Sequence, residues 1–401
     1  MKVLFVSQEL PPETGWGGIG TYVDVMTQAL AAKGFEVHVL SVVGGQQPST
    51  KVMGSVTVHR EALPRVRASD RLPPESWRRL WLATTVARFI PRLGLEPTVI
   101  ECPEWMAEGF VLGLKQRWPL VVRLHSSARQ LFPYTRQGRE WRGLDGRLAA
   151  RLEEVSARRA NVVVSTSSNL AEAATRLHLD ESALHVISYP VRLPSLSPMP
   201  DPESPRVTFL GRFEARKGPE VIMRAAPRVL AAVPAARFAF VGRDATEPGA
   251  PSSAAWLRRE ADRLGVAHAI EVREQFGREA VLRELGRTTV CVAPSRWESF
   301  GYVVAEAQAV GRPVVVSSIP PFRDLVEDGV TGCIVADEND EAWAGALIEL
   351  LRDQQRAGKM GQAGAARITA ISDPGHVADL ALESYRHAID RWRHGGRAAE
   401  D

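Results

Sequence analysis

Short apolar segments alternate with helical stretches along almost the whole chain, and this alternation is interrupted once. In the first half it predicts strands over residues 2–7, 36–41, 56–59, 98–101, 120–125, 161–165 and 184–188, and helices over 20–33, 76–90, 146–159 and 168–177. In the second half it predicts strands over 206–211, 237–242, 269–273, 289–293, 313–317 and 332–336, with a helix from about residue 219 and a final one over 374–392. Such alternation is typical of parallel, doubly wound sheets, so the expected fold class is α/β.

The interruption spans residues 189–205 and contains six prolines and three serines. This composition favours an extended, semi-rigid linker. A chain of 401 residues also exceeds one ordinary domain. We therefore expect an N-terminal Rossmann-like domain over 1–190, a linker over 191–205, a second Rossmann-like domain over 206–375, and a C-terminal helix over 376–401 that can cross back to the first domain.

Two glutamates, Glu298 and Glu306, follow the strand at 289–293 and lie eight positions apart. Between them, Ser299-Phe300-Gly301 marks the start of a helix, whose first backbone N–H groups suit a phosphate. Carboxylates accept hydrogen bonds from hydroxyls, so the pattern predicts a phosphate flanked by sugars. The plainer alternative is a pair of solvated glutamates beside a helix.

A second motif follows the strand at 206–211, where Arg212 and Lys217 flank a short loop. Two cations on such a loop can neutralise a diphosphate leaving group without a metal ion. Only six of the 50 basic residues are lysines, so the lysine at this position indicates a use for a compact ammonium group. The alternative here is a solvated loop.

These two segments resemble the E-x7-E and G-R-x-x-x-x-K-G motifs of retaining glycosyltransferases of family 4, which have the GT-B fold. The resemblance implies that two Rossmann-like domains face each other across a ligand-binding cleft. It implies that Glu298 contacts the donor sugar and Glu306 the nucleotide ribose. Arg212 and Lys217 would bind the donor diphosphate, together with the segment Ser299, Phe300 and Gly301.

The same resemblance gives roles to residues of the first domain. Gly17 and Gly18 match a glycine pair that faces the donor phosphates, and His125 matches a histidine that touches the donor sugar. A tight strand-to-helix turn would also explain the two glycines, and a strand cap would explain His125. A neutral imidazole at position 125 would orient the sugar rather than act as a general base.

The segment from Glu101 to Glu108, where the strand at 98–101 ends, carries Glu101, Glu104 and Trp105. Carboxylates at the edge of a sugar and an indole on its face form a common sugar-binding arrangement. We therefore expect this segment to form an acceptor-binding lip, the alternative being ordinary exposed glutamates.

Composition excludes several classes of function. A net charge of +3 is too small to indicate nucleic-acid binding. The three cysteines lack the spacing of a disulfide framework or a zinc site, which favours a reducing compartment, and we expect no metal and no cofactor. The first strand begins at once, without a signal-peptide core, and no apolar run reaches the length of a membrane span. The expected location is the cytoplasm.

Arginine is concentrated between residues 60 and 159, with 18 arginines and one lysine against 11 acidic residues. The helix that begins near Trp77-Arg78-Arg79-Leu80-Trp81 admits two interpretations. A core-facing helix with a solvated basic face is favoured, and a basic surface resting on anionic lipid is the alternative. The loop from Arg129 to Arg147 could instead hold an anionic acceptor or act as a lid.

Together these patterns predict a retaining, metal-independent glycosyltransferase that moves a hexosyl group from a nucleotide-diphosphate sugar, with UDP as the expected nucleotide, to an acceptor hydroxyl. The acceptor stays open between a polysaccharide primer, a lipid-linked sugar and a small natural product. A sugar-nucleotide epimerase of the same fold and a catalytically silent sugar-nucleotide-binding partner are the two alternatives.

Overall fold

The computed structural model describes residues 1–14, 17–64, 74–131, 134, 143–169, 171–172, 178–192, 205–244, 251–274, 278–336 and 338–397. The chain divides into two compact units. Unit 1 comprises Met1–Pro190 and Pro374–Asp401, and unit 2 comprises Val191–Asp373. Most of the predicted linker and of the predicted helix at 168–177 lies outside the described residues, as does Trp141 of the arginine-rich loop.

Unit 1 contains an eight-stranded sheet in the order β3-β4-β2-β1-β5-β6-β7-β8. Its strands are β1 Lys2–Val6, β2 Glu36–Gly44, β3 Ser49–Met53, β4 Val56–Leu63, β5 Val99–Pro103, β6 Leu120–Leu124, β7 Val162–Ser165 and β8 Leu184–Val186. All neighbours are parallel except β3 and β4. The sequence analysis missed β3 because this edge strand is largely exposed and carries no apolar alternation.

The helices of unit 1 are α1 Gly18–Ala32, α2 Glu75–Phe89, α3 Phe110–Lys115, α4 Ala128–Leu131, α5 Leu144–Arg158 and a last helix, Pro374–Arg397, at the end of the chain. The apolar residues of β1, β5 and β6 pack against α2 and form the core. The last helix contributes a buried stripe to this unit, made of Val377, Ala378, Ala381, Leu382, Tyr385 and Ala388. This spacing of three and four residues places one helix face against the sheet.

Unit 2 contains a six-stranded, fully parallel sheet in the order β11-β10-β9-β12-β13-β14. Its strands are β9 Arg206–Leu210, β10 Arg237–Gly242, β11 Ile270–Glu274, β12 Val290–Ala293, β13 Val314–Ser317 and β14 Cys333–Val335. Its helices are α6 Pro219–Ala232, α7 Ser253–Arg263, α8 Arg278–Gly286, α9 Tyr302–Ala309, α10 Pro320–Leu325, α11 Asp340–Arg352 and α12 Gln354–Ser372, so that the last helix of the chain is α13.

The order of strands in unit 2 positions its site. From β9 the chain proceeds outward through β10 and β11, and it then returns to the other side of β9 to form β12. The connections that leave β9 and β12 therefore run in opposite directions at the carboxyl edge of the sheet. Ligands of doubly wound sheets bind at such a switch point. The two motifs of the sequence analysis both lie on these connections.

Candidate active site

The loops that follow β9 and β12 are in direct contact. Gly218 ends the first loop with a φ of 66°, in the left-handed region, and caps the start of α6. A Cβ atom at this position would lie 2.3 Å from the carbonyl oxygen of Pro294, which begins the second loop. The amide of Arg296 also donates to the carbonyl oxygen of Arg216 at 2.8 Å. Only glycine allows this approach, which brings the two motifs together.

Lys217 and Glu298 form an ion pair at this junction, between the Lys217 Nζ and Glu298 Oε1 atoms. The hydroxyl of Ser295 donates to the same carboxylate oxygen at 3.0 Å. The guanidinium of Arg216 lies 3.5 Å from the other oxygen. The side chains of Lys217 and Glu298 are 20% and 11% exposed, so both charges keep a narrow opening to solvent.

Burial and charge act on this pair in opposite directions. Burial lowers the pKa of Lys217, and the neighbouring Arg216 lowers it further, although Glu298 opposes both effects. Burial of Glu298 acts to raise its pKa, but Lys217 and Arg216 outweigh this effect, and the pKa of Glu298 is lowered. The site therefore holds an ionised carboxylate between two cations.

Arg212 occupies a different environment from Lys217. Its side chain is 56% exposed and lies 3.4 Å from Glu214, a carboxylate that also accepts from Arg216 at 2.5 Å. The structure thus supplies one enclosed and one solvent-facing cation on the same loop. A solvent-facing guanidinium can turn towards a bound anion at little cost, because its present ion pair is exposed and weak.

Helix α9 begins beside this junction. Its N-cap is Gly301, with a φ of 103°, and no side chain caps the helix. A Cβ atom at Gly301 would lie 2.6 Å from the ring of Phe322. Position 301 therefore requires glycine, both for its positive φ and for its close approach to Phe322. Ser299 is half-buried and Phe300 is buried, and both precede this helix start. The positive end of the helix dipole therefore lies next to the Lys217–Glu298 pair.

Glu306 lies in the second turn of α9 and is half-buried. Its charge is close enough to β12 to add to the effect of burial, and the two raise the pKa of Cys291 to about 12. The two glutamates of the predicted motif therefore occupy different places. Glu298 lies between the cations, and Glu306 lies on the helix that follows.

The expectation of an exposed carboxylate lip in unit 1 is wrong for Glu101. This residue is 2% exposed because it lies within β5, a central strand of the sheet. Its carboxylate accepts from the hydroxyls of Tyr22 at 2.5 Å and Tyr385 at 2.6 Å, and from Arg123 Nε at 3.0 Å. Glu101 therefore joins α1, the sheet and α13 inside unit 1.

The same correction applies to Glu104, which is also 2% exposed. Its carboxylate accepts from the backbone N–H groups of His125 at 2.7 Å and Ser126 at 2.5 Å. Burial and the nearby charge of Glu153 raise the pKa of Glu104 to about 8, although the two backbone groups oppose this change. The carboxyl group thus positions the end of β6 rather than an acceptor.

Trp105 is only partly buried, but the guanidinium of Arg79 lies 5.4 Å from the centre of its ring. This contact occupies a ring face on which a sugar was expected to stack. An acceptor contact stays a prediction for Trp105 alone.

His125 lies at the carboxyl end of β6, where the sequence placed it, and is 3% exposed. Its Nδ1 atom is hydrogen-bonded to the hydroxyl of Tyr189, and its ring lies 5.4 Å from that of Tyr22. Burial and the charge of Arg123 lower its pKa well below the usual value. The imidazole is therefore neutral, and its sugar contact stays a prediction.

Gly17 and Gly18 are exposed at the start of α1. In the first turn of this helix, the N–H of Gly20 donates to the carboxylate of Glu9 at 3.1 Å. A carboxylate of the protein itself thus lies where a phosphate oxygen would bind. Phosphate contact at Gly17 and Gly18 stays a prediction, and Gly15 and Trp16 of the same loop lie outside the described residues.

Two family models match the chain, one in each half. A "Glycosyl transferase 4-like domain" matches residues 17–190, and "Glycosyl transferases group 1" matches residues 198–367. The chain belongs to the family-4 type of glycosyltransferases with the GT-B fold.

A relative agrees with this family, and solved structures agree with the fold. The glycosyltransferase is 29% identical to a D-inositol 3-phosphate glycosyltransferase of Frankia alni, over 94% of this chain and 96% of the relative. Its fold is similar to that of the sucrose-phosphate synthase of Thermosynechococcus elongatus, with a TM-score of 0.76 and 21% identity over 97% and 99% of the two chains. It is also similar to Anabaena HepE in complex with UDP and glucose, with a TM-score of 0.71 and 18% identity over 96% and 99%.

The sequence analysis of this glycosyltransferase missed Arg216 and Ser295, which both contact Glu298. Arg216 occupies an unspecified position of its motif, and no spacing rule singles it out. Across the described residues, no group of three or more His, Cys, Asp or Glu side chains is arranged to hold a metal ion. No described helix is both long and apolar enough to cross a membrane.

Proposed function

We propose that this glycosyltransferase moves a hexosyl group from a nucleotide-diphosphate sugar, with UDP as the nucleotide, to an acceptor hydroxyl with retention of configuration and without a metal ion. One observation carries the proposal. At the switch point of the second sheet, Lys217 and Arg216 flank the ionised Glu298 beside the start of α9. Positive charge and a carboxylate suited to accept hydrogen bonds from sugar hydroxyls thus occupy one small region.

In the proposed reaction, Lys217 and Arg212 stabilise the negative charge that develops on the leaving diphosphate, aided by the backbone near Phe300 and Gly301. Arg212 is exposed and can turn towards the diphosphate, whereas Lys217 is held by Glu298. Because Lys217 is already held in place before the donor binds, its ammonium group needs little reorganisation when charge develops, and only Arg212 has to turn. The two cations supply the charge stabilisation that a divalent cation supplies in other enzymes.

Cleavage of the bond between the anomeric carbon and the diphosphate oxygen gives an oxocarbenium-like centre. The acceptor hydroxyl then attacks from the face that the diphosphate leaves, and its proton passes to a diphosphate oxygen. Glu298 would hydrogen-bond the hexose, and Glu306 would hydrogen-bond the ribose. His125, being neutral, would donate or accept a hydrogen bond to the sugar without removing a proton.

The acceptor is proposed only as a hydroxyl compound. The name of the Frankia relative contains a phosphorylated cyclitol, which makes D-inositol 3-phosphate a suitable first acceptor to test. An oligosaccharide primer, a lipid-linked sugar and a small natural product are the other arms of the same assay.

The test is a donor screen with UDP-, GDP- and ADP-hexoses, each with and without acceptors. We expect slow hydrolysis of the UDP-sugar alone and faster transfer when an acceptor is present. The anomeric bond of the product, axial or equatorial, should have the same configuration as that of the donor. Excess EDTA should cause no loss of activity. Conversion of the donor sugar into its epimer without transfer would favour the epimerase alternative. Binding of donor without any turnover would favour the silent partner, and activity restored by Mg²⁺ or Mn²⁺ after EDTA would overturn metal independence.

A further inference from the structure

Unit 1 exposes an unusual group of large apolar side chains. Trp77 is 45% exposed, Leu80 36%, Leu144 76% and Leu148 48%. These four residues, here called the apolar patch, lie in the first turns of only two helices, α2 and α5. Single exposed apolar residues are ordinary on protein surfaces, but a group of them indicates an interaction site.

Contacts between α2 and α5 bring the two halves of the patch to one end of the unit. The carboxylate of Asp145, in the first turn of α5, accepts from the backbone N–H groups of Glu75 at 2.8 Å and Ser76 at 3.0 Å. It also accepts from the hydroxyl of Ser76 at 2.5 Å. Trp77 follows Ser76 directly and Leu144 precedes Asp145 directly, so both flank the same hydrogen bonds.

Three arginines on α2, α4 and α5 are each more exposed than the carboxylate with which they pair. The side chains of Arg78, Arg151 and Arg129 are 47%, 53% and 69% exposed. Their carboxylate partners lie beneath them, since Glu75 is 23% exposed and Glu154 only 9%. On these helices solvent therefore meets guanidinium groups and apolar side chains more than it meets the paired carboxylates.

We propose that the apolar patch docks on an anionic phospholipid membrane surface. Trp77 and the leucines would enter the headgroup region, and Arg78 and Arg151 would contact lipid phosphates. Exposed indole and leucine side chains among arginines fit a lipid–water interface, because the apolar groups leave water while the cations stay at the charged surface. The inference rests on unit 1 alone and is independent of the proposed reaction.

The test measures binding of the full chain to sedimented vesicles. One set contains phosphatidylcholine only, and the other contains about one-third phosphatidylglycerol, which supplies the negative surface potential. We expect strong partition to the anionic set only. Binding should weaken as salt rises from 0.1 M to 1 M, because the screening length falls from about 10 Å to about 3 Å.

Two variants and a matched control locate the contact. Trp77→Ser and Leu144→Ser should each lower the partition coefficient about tenfold, since each removes a large apolar group from the interface. Trp256→Ser changes a tryptophan of unit 2 that is 39% exposed, and it should leave binding unchanged. All three sites are exposed, so the variants should keep the parent's melting temperature, which is recorded for each.

Three results would overturn the proposal. Equal partition to neutral and anionic vesicles would remove the role of the arginines. An equal loss in Trp256→Ser would place the contact elsewhere. Sedimentation of the parent without vesicles, abolished by Leu144→Ser, would make the patch a contact between copies of this chain.

Discussion

At the scale of single residues, the site combines charged side chains that are fixed by ion pairing with a charged side chain that is free to change its conformation. Lys217 and Glu298 restrain each other inside the junction of two loops, and Arg212 extends into solvent. In unit 1, buried carboxyl groups serve a different purpose, because Glu101 and Glu104 bind neighbouring strands and helices through hydrogen bonds. The same residue type thus pairs with cations at the proposed donor site of one unit and stabilises the fold of the other.

Lys217→Ala should reduce turnover on the order of a hundredfold or more, because the ammonium group stabilises charge that develops in the transition state. The control is Lys359→Ala, which removes an exposed lysine from α12 of the same unit. Initial rates with the best donor of the screen measure both. Near-normal turnover of Lys217→Ala would show that the diphosphate is bound elsewhere.

Substitutions of Glu306 and Glu298 should differ in their effect on the binding of free UDP. Glu306→Gln should weaken binding of UDP about tenfold, since a charged acceptor of two hydroxyls is replaced by a neutral one. Glu298→Gln should leave UDP affinity within about twofold, because glutamine keeps an oxygen for Lys217, and it should lower the transfer rate instead. Calorimetric titration of both variants with UDP measures these affinities. Equal losses of UDP affinity in the two variants would rule out the assignment of the ribose to Glu306 and of the hexose to Glu298.

The raised pKa of Glu104 predicts a pH dependence of stability in unit 1. Between pH 4.5, the ordinary value, and about pH 8, the folded state binds a proton that the unfolded state has released. The stabilisation that this bound proton contributes is present in full below pH 4.5 and is lost as the pH rises through about 8. The free energy of unfolding of the parent should therefore fall more steeply with pH than that of Glu104→Gln, by up to about 1.4 kcal/mol per pH unit.

Denaturant unfolding at several pH values between 5 and 8 measures these slopes. Glu341→Gln, at a side chain that is 74% exposed, serves as the control and should keep the parent's slope. Parallel curves for the parent and Glu104→Gln would show that Glu104 stays ionised in the folded protein.

At the scale of elements, α13 is tied to unit 1 by contacts along its whole length. Lys33, the residue that follows α1, pairs with Asp379 at 2.8 Å, and the indole of Trp392 donates to the carbonyl oxygen of Gln116 at 2.7 Å. Between these ends, the hydroxyl of Tyr385 reaches the buried carboxylate of Glu101. The helix thus supplies one of the hydrogen-bond donors of the buried Glu101 carboxylate, in the middle of the sheet.

Tyr385→Phe should lower the stability of unit 1 by about 2 kcal/mol, because one oxygen of a buried carboxylate loses a charged hydrogen bond. In a unit of this size the melting temperature should fall by roughly 4 to 8 °C. Differential scanning calorimetry measures the change. Tyr134→Phe, at a tyrosine that is 38% exposed, is the control, and equal shifts in the two variants would contradict the network.

At the scale of the whole molecule, the chain does not divide at one point. Unit 2 is a single continuous stretch, Val191–Asp373, whereas unit 1 uses both ends of the chain. Two parallel sheets with their own cores account for two separate folding units. Unit 1, however, needs the last helix to cover its sheet.

A chain cut to residues 191–373 should therefore fold alone, and a chain cut to residues 1–190 should not. The shorter form of unit 1 exposes the apolar surface that α13 covers and leaves Glu101 with one partner fewer. Circular dichroism and thermal unfolding test both pieces. Joining residues 374–401 to residue 190 through a flexible linker should restore cooperative unfolding, and a cooperative transition without them would contradict the expectation.

Much of this could be predicted from the sequence. The alternation of strands and helices gives the α/β class, and every predicted strand has a counterpart in the structure. The motifs at 211–218 and 298–306 lie at the carboxyl edge of the second sheet, where the sequence places them. These signals are local, because a strand, a helix start or a tight turn depends on residues only a few positions apart.

Tertiary structure alone decides which distant residues meet. Lys217 and Glu298 are 81 positions apart, and they pair because β9 and β12 lie side by side in an order that no local pattern encodes. Burial is decided in the same way. Glu101 and Glu104 lie where a predicted strand ends, and their local sequence does not indicate burial. Neighbouring strands, α1 and α13 nevertheless enclose Glu101, and the end of β6 binds Glu104. A side chain's exposure depends on what the rest of the chain packs against it, and that information is spread over the whole sequence.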